Sequence, residues 1–168
     1  MAPMNRAAPF TFDDSLWPLL GVRLTGELSR QEFEAYLDRS TQYLQRGERH
    51  VCIFDLSALW LLSSEQRQRH ALWLEKNAAL MRRTLLGLAY VITSPTVVLT
   101  MSVIFHFRPP PVPYTLVTRL DAARAWAAWH LEESGLGAQA ERVRSHLYEG
   151  MFAGTGSGCG PAQLSGPC

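Results

Sequence analysis

Two serines stand side by side at residues 63 and 64, followed by Glu65, Gln66 and a run of helix-forming residues. A hydroxyl at such a place can do two kinds of chemistry. Ser63, just before the first turn, can accept a hydrogen bond from a free backbone amide while Gln66 returns one, the reciprocal arrangement called a capping box. Ser64, one residue further in, can carry a phosphate, because the start of a helix offers unpaired amides and positive partial charge to an anion. Ser63 is therefore the expected helix cap and Ser64 the candidate phosphoacceptor.

Other chemistry has little to stand on. His50, His70, His106, His130 and His146 are dispersed, with no His-x-x-x-His pair, and Cys52, Cys159 and Cys168 form no Cys-x-x-Cys, so no metal site is expected. Gly156-Ser157-Gly158 lacks both the spacing of a nucleophile elbow and a strand to hold it. There is no Gly-rich phosphate loop and no dinucleotide fingerprint. The reading is of a protein that is not an enzyme, with no catalytic residue and no cofactor.

Composition narrows the classes further. The 168 residues are 47% hydrophobic and 18% charged, which is the balance of a globular domain and not of a disordered chain. Sixteen basic residues against fifteen acidic ones leave a formal charge of +1, too little excess for a nucleic-acid footprint. Fifteen of the sixteen are Arg, with Lys76 the only lysine, and together with abundant Ala and Leu this points to a high-GC bacterial source. The sparse cysteines fit a reducing compartment, and neither a secretory pattern nor a run of 18 apolar residues is present, so a cytoplasmic protein without a transmembrane segment is expected.

The elements that must position these residues follow from hydrophobic periodicity. Leu19 to Leu28 reads as a strand, and Ser29 to Gly47 as a helix with a Ser29/Glu32 capping box and a terminating glycine. Val51 to Leu56 is a continuous apolar run suited to a central strand covered on both faces. A helix then opens at Ser63 and reaches about Arg82, with Ala71, Leu74, Ala78 and Met81 as its expected core face. Leu85 to Thr93 reads as a strand, and Ser94-Pro95 as the cap and first residue of a helix running toward Phe107. After the break at Pro109 to Pro113 come a short strand, Tyr114 to Val117, and a helix capped by Asp121 that carries Ala122, Ala125, Trp126 and Trp129 on one face. A further helix, with Ala140, Val143 and Leu147 in register, falls within residues 134–150.

Strands alternating with helices require crossover connections, so the fold class is α/β: a mostly parallel sheet of four to five strands with packed helices. The domain is expected over residues 10–133, with flexible residues 1–9 before it and a disordered Gly-rich tail at 151–168.

Two apolar surfaces remain unassigned by this scheme. Trp73 and Leu80 fall almost opposite the expected core face of their helix, flanked by Arg69 and Lys76, and the preceding loop holds Trp60 and Leu61. Trp with Arg is common at the energetic centres of interfaces, so Trp60, Leu61, Arg69, Trp73, Lys76 and Leu80 form the candidate partner-binding surface, for a protein partner or a second copy of the chain. On the helix ending at Phe107, Val97, Met101 and Ile104 lie on one line and Val98 and Phe105 on another. Core packing explains one line; a partner, or a pocket for a small apolar molecule lined by Phe105, Phe107 and the Pro109 to Pro113 turn, explains the other.

Three segments resemble the STAS family of anti-sigma-factor antagonist domains and its STAS-like branch. Gly26-Glu27-Leu28-Ser29 resembles the family's Gly-Glu-Leu-Asp before the first helix. Asp55-Leu56-Ser57 followed by Ser63-Ser64-Glu65-Gln66 resembles its central strand end and the Asp-Ser-Ser-Gly helix start, with Ser, Glu and Gln standing where the family has Asp, the second Ser and Gly. Leu120-Asp121-Ala122-Ala123 resembles its closing helix start, so that the likeness covers residues 16–131. The resemblance implies a regulatory module that binds other proteins, a kinase or an anti-sigma-like regulator among them, and places the phosphorylated serine of the family at Ser64. The alternative from another class is a carrier for a small molecule or lipid of the Sec14-like type, with which the STAS-like branch is compared.

Overall fold

Local signals act first, and both capping boxes form. The structure, a computed structural model, describes residues 8–152. Ser29 accepts from the Glu32 amide and starts α1 (Arg30–Gln45); Ser63 does the same with Gln66 and starts α2 (Ser64–Thr84). The strands are β1 (Phe10–Leu16), β2 (Leu19–Gly26), β3 (His50–Leu59), β4 (Leu85–Val91) and β5 (Tyr114–Val117), with α3 (Pro95–Phe107), α4 (Leu120–Glu133) and α5 (Gly137–Phe152) completing the chain. No helix among the described residues is long and apolar enough to cross a membrane. Of the segments read as flexible or disordered, 1–9 and 151–168, residues 1–7 and 153–168 with Cys159 and Cys168 lie outside the described residues, as do the side chains of Ile104 and Leu147, whereas residues 151–152 belong to α5 and not to a disordered tail.

The five strands form one sheet in the order β1-β2-β3-β4-β5, with β2 to β5 parallel and β1 antiparallel at the edge. The fold is thus α/β, as periodicity requires. Each parallel connection steps to the next strand in the same direction, so right-handed crossovers put α1, α2 and α3 on one face, the front, and leave the back to α4 and α5. Side chains alternate accordingly. Leu20, Val22, Leu24, Cys52, Leu88 and Tyr90 join the core with α1, α2 and α3, while Leu19, Val51, Ile53, Ala89 and Val91 join the core with α4 and α5.

The two faces differ in depth. On the back, Ala123, Ala127, Ala128 and Leu131 of α4 are fully buried, and α4 lies close along β3, β4 and β5. Gly87 permits this approach, since a Cβ there would come within 2.6 Å of Trp126. On the front, large side chains hold the helices off: Phe33, Tyr36, Leu37 and Tyr43 from α1 and Trp73 and Met81 from α2 meet the sheet.

Several expectations are corrected. Phe10 to Leu16, to which periodicity assigns no element, is a strand: Phe12 pairs with Val22 and stacks on Tyr43 at 5.4 Å, and these contacts decide its conformation. β2 ends at Gly26 and not at Leu28. Asp121 does not cap α4; it lies in the first turn, paired with Arg119, and Arg119 is the capping residue without a side-chain bond. The buried face of α4 is the small one, and Trp129, read as part of its apolar face, is exposed. On α2, Met81 is buried but Ala71, Leu74 and Ala78 are only half-buried, whereas Trp73, Asn77 and Thr84 are buried.

Candidate functional site

Where the front helices stand away from the sheet they enclose a cavity of ≈ 550 Å³. Its floor is the front face of the sheet: Leu20, Val22 and Leu24 from β2, Cys52, Phe54 and Leu56 from β3, Leu88 and Tyr90 from β4. Phe33, Tyr36 and Tyr43 of α1 form one wall, and His70, Ala71, Trp73, Leu74 and Ala78 of α2 form another. Val97, Met101 and Phe105 of α3, spaced four residues apart, close the third side with Pro109 to Pro111. The loop from Leu59 to Leu62 sits at the rim. The volume is within the range of about 300 to 1,000 Å³ usual for small-molecule sites, and the lining is dominated by aliphatic and aromatic carbon.

The chain forms this space for local reasons. Period-two alternation delivers large residues to the front of β2, β3 and β4. Ser94 accepts from the Val97 amide at 3.4 Å and Pro95 follows, so the β-branched segment after them becomes helix in spite of its propensity. α3 is apolar on all sides: Phe105 is buried and Val97, Val98 and Met101 are half-buried, while Leu99, Val103 and Phe107 face outward and are exposed.

The Tyr36, Tyr90, Cys52, His50 and His70 side chains of the lining are shifted toward their uncharged forms. Burial pushes the Tyr36 and Tyr90 phenols and the Cys52 thiol well above their ordinary ranges. Burial lowers His70 to about 4, and it also lowers His50, where a bond to the Glu48 carbonyl opposes it. The lining's guanidiniums, Arg67, Arg82 and Arg108, are exposed, as is its one carboxylate, Glu75.

A second, smaller hollow of ≈ 250 Å³ on the back of the sheet is polar. Of its charged residues, Arg23 pairs with Asp55 at 2.9 Å, and the Asp13 carboxylate accepts from the Ser15 amide at 2.9 Å. Burial pushes Asp55 up, but hydrogen bonds from Ser57 and Arg23 outweigh it and hold the carboxyl below its usual range. Among the described residues no group of three or more His, Cys, Asp or Glu side chains is placed to hold a metal ion.

The candidate residues read from sequence separate into two groups. Ser63 caps α2, accepting from Gln66 N at 3.1 Å, and Ser64 is exposed beside it with its hydroxyl 3.1 Å from Arg67 Nη2. Trp60 and Leu61 stand exposed at the rim, and Lys76 is exposed on α2. Trp73 and Leu80, in contrast, do not form a surface. Trp73 is 8% exposed and Leu80 half-buried against the front core, because α1 covers that side of α2. Trp73 Nε1 donates to Thr41 Oγ1 at 2.9 Å, and Arg69 makes a two-pronged bond to Glu34 of α1 at 2.8 and 2.9 Å. Phe105 and the proline turn do line the cavity as the pocket reading has it, whereas Phe107 points outward. Tyr36, Cys52, His70 and Tyr90 were not singled out by sequence, since each reads as ordinary core; only the topology brings them to one space.

No family model matches the chain, and no curated protein matches it. Among solved structures it is similar to an uncharacterized protein of the DUF3478 family with a SpoIIAA-like fold from Shewanella loihica PV-4. The identity is 15% and the TM-score 0.56, over 70% of this chain and 91% of that one. The fold is therefore SpoIIAA-like, the STAS-like architecture that the Gly26, Asp55 and Leu120 segments resemble.

Proposed function

We propose that this chain is a non-enzymatic binding protein that holds a small apolar molecule between the front of its sheet and α1, α2 and α3. The supporting observation is the ≈ 550 Å³ cavity with its carbon-rich lining and rim. An apolar molecule in a space of this size makes dispersion contacts with the aliphatic and aromatic side chains around it. Tyr36, Cys52, His70 and Tyr90, held by burial in their neutral forms, favour binding over proton transfer or nucleophilic attack, which call for a group poised near the working pH.

Native mass spectrometry of the purified protein tests the reading. The expected spectrum contains a second species, heavier by the mass of a small molecule, that reverts to the bare chain on denaturation. A bare chain only, together with no displacement of an environment-sensitive apolar dye by added 1-decanol, overturns it.

Trp60 and Leu61, 66% and 62% exposed, favour a second reading in which a protein partner docks on the loop before α2. In that reading Ser64, four residues after Trp60 in the chain, is a phosphoacceptor that weakens docking by placing about two negative charges beside an apolar contact. Lys76 and the exposed side of α2 extend the same surface; Trp73 and Leu80 do not belong to it.

A further inference from the structure

Tyr90 rises from β4 on the cavity floor, paired across the ladder with Phe54 on one side and Leu116 on the other. Its ring is fixed by neighbours: it stacks on Phe54 at 5.5 Å and tilts against Phe105 at 5.3 Å. The residue is 8% exposed, yet its hydroxyl makes no hydrogen bond to any described residue. Buried hydroxyls in folded proteins nearly always have a partner, because losing water without replacement is costly. Among the described residues no buried side-chain nitrogen or oxygen is sealed away without a partner, so the Tyr90 hydroxyl opens on the cavity space. A hydrogen-bonding group in that space can complete it.

The surroundings say what kind of group that is. Tyr36 and Cys52 are close enough to Tyr90 to interact with it electrostatically, and both are uncharged at neutral pH. No Lys or Arg lines the floor. The lining's three guanidiniums all lie at exposed positions away from the floor: Arg67 near the start of α2, where it donates to the Leu62 carbonyl and the Ser64 hydroxyl, Arg82 near the other end of that helix, and Arg108 just after α3. An ionised group on the floor would lose its hydration among Leu, Val, Phe, Tyr and Cys side chains that carry no charge.

Building on the ligand-binding reading above, we infer that the occupant is an uncharged, elongated apolar molecule whose single hydroxyl or carbonyl group hydrogen-bonds the Tyr90 hydroxyl, and not a carboxylate-headed fatty acid. The phenol can donate to a carbonyl or exchange both roles with an alcohol. The apolar remainder lies along the lining between α2 and the sheet.

Three probes of equal chain length test this on the full chain: 1-decanol, methyl decanoate and decanoate at pH 8, each titrated by tryptophan fluorescence and calorimetry against the parent and Tyr90→Phe. The variant keeps the ring and its stacking, and its thermal midpoint confirms that the fold is retained. Decanol and the ester are expected to bind, with decanoate at least tenfold weaker. Tyr90→Phe is expected to weaken decanol about tenfold, the usual consequence of deleting one partner of a buried hydrogen bond, and to leave decanoate unchanged. Decanoate binding as tightly as decanol, or decanol affinity indifferent to Tyr90→Phe, overturns the inference while leaving the cavity reading intact. If no probe binds either protein, the cavity reading itself fails and this inference with it.

Discussion

The indole nitrogen of Trp73 donates to the hydroxyl of Thr41 at 2.9 Å, and that hydroxyl donates in turn to the Leu37 carbonyl at 2.9 Å. The relay ties α2 to the backbone of α1 and forms part of the wall between them. Thr41→Val keeps the shape and removes the acceptor, leaving an indole N–H unpartnered, and is expected to cost about 1 to 3 kcal/mol in urea unfolding. Trp73→Ala also opens space beside the cavity and is expected to cost about 3 to 5 kcal/mol. A Trp73→Ala chain as stable as the parent would place Trp73 on a surface after all.

Gly87 and Trp126 form a second close fit, on the back of the sheet. A methyl at residue 87 would meet the indole at 2.6 Å and the Pro113 carbonyl at 3.4 Å. Gly87→Ala is expected to destabilise by about 1 to 3 kcal/mol, as overpacking does. Trp126→Leu in the same chain should recover part of that loss, so a double-mutant cycle reports a favourable coupling. Strict additivity would show that the clash is relieved elsewhere.

His70 makes stability depend on pH. Its value falls from the ordinary 6.5 to about 4 because burial disfavours the charged ring. Between those limits the unfolded chain binds a proton that the folded chain refuses, so stability declines as pH falls from 6.5 toward 4 and the contribution levels off below. His50 is shifted in the same direction. Urea midpoints at pH 7.5 and pH 4.5 should therefore differ less in His70→Phe than in the parent. An equal difference would show that His70 titrates normally.

Ser63 and Ser64 are separable by substitution. Ser63→Ala removes the cap bond to Gln66 N and is expected to cost about 1 kcal/mol. Ser64→Asp puts a negative charge in the first turn beside Arg67, which the helix dipole favours by about 0.3 to 1 kcal/mol. Thermal midpoints should thus move down for the first and slightly up for the second. If Ser64 is also the switch of the protein-docking reading, phosphopeptide mapping from native cells finds phosphate on it, and Ser64→Asp loses partner affinity.

What was legible in the sequence was whatever is decided within a few residues or by period. Both capping boxes, the Ser94-Pro95 helix start and the alternation of strands and helices are of this kind, and they suffice for the α/β class and a mostly parallel sheet. What was not legible is decided by contacts distant in the chain. Phe10 to Leu16 becomes a strand only because β2 and Tyr43 are beside it. The buried side of α4 is its alanine side because Gly87, more than thirty residues earlier, leaves room for Trp126. Trp73 looked like surface because the periodicity of α2 alone does not show that α1 lies against it. The cavity was half-legible: Phe105 and the proline turn were named as its wall, but its floor is made of residues that any core would contain.

The unequal depth of the two faces also gives the molecule an unequal mechanical response. Behind the sheet, alanines on α4 leave little to compress; in front of it there is unfilled volume. Hydrostatic pressure favours whichever state occupies less space, and unfolding abolishes internal voids, so an empty chain should yield to pressure from the side of α1, α2 and α3 while the side of α4 and α5 resists. An apolar molecule seated beside Tyr90 packs against the cavity lining and offsets the weakness. Occupancy should therefore be readable as a change in partial molar volume, even for a ligand that alters no absorbance, charge or secondary structure.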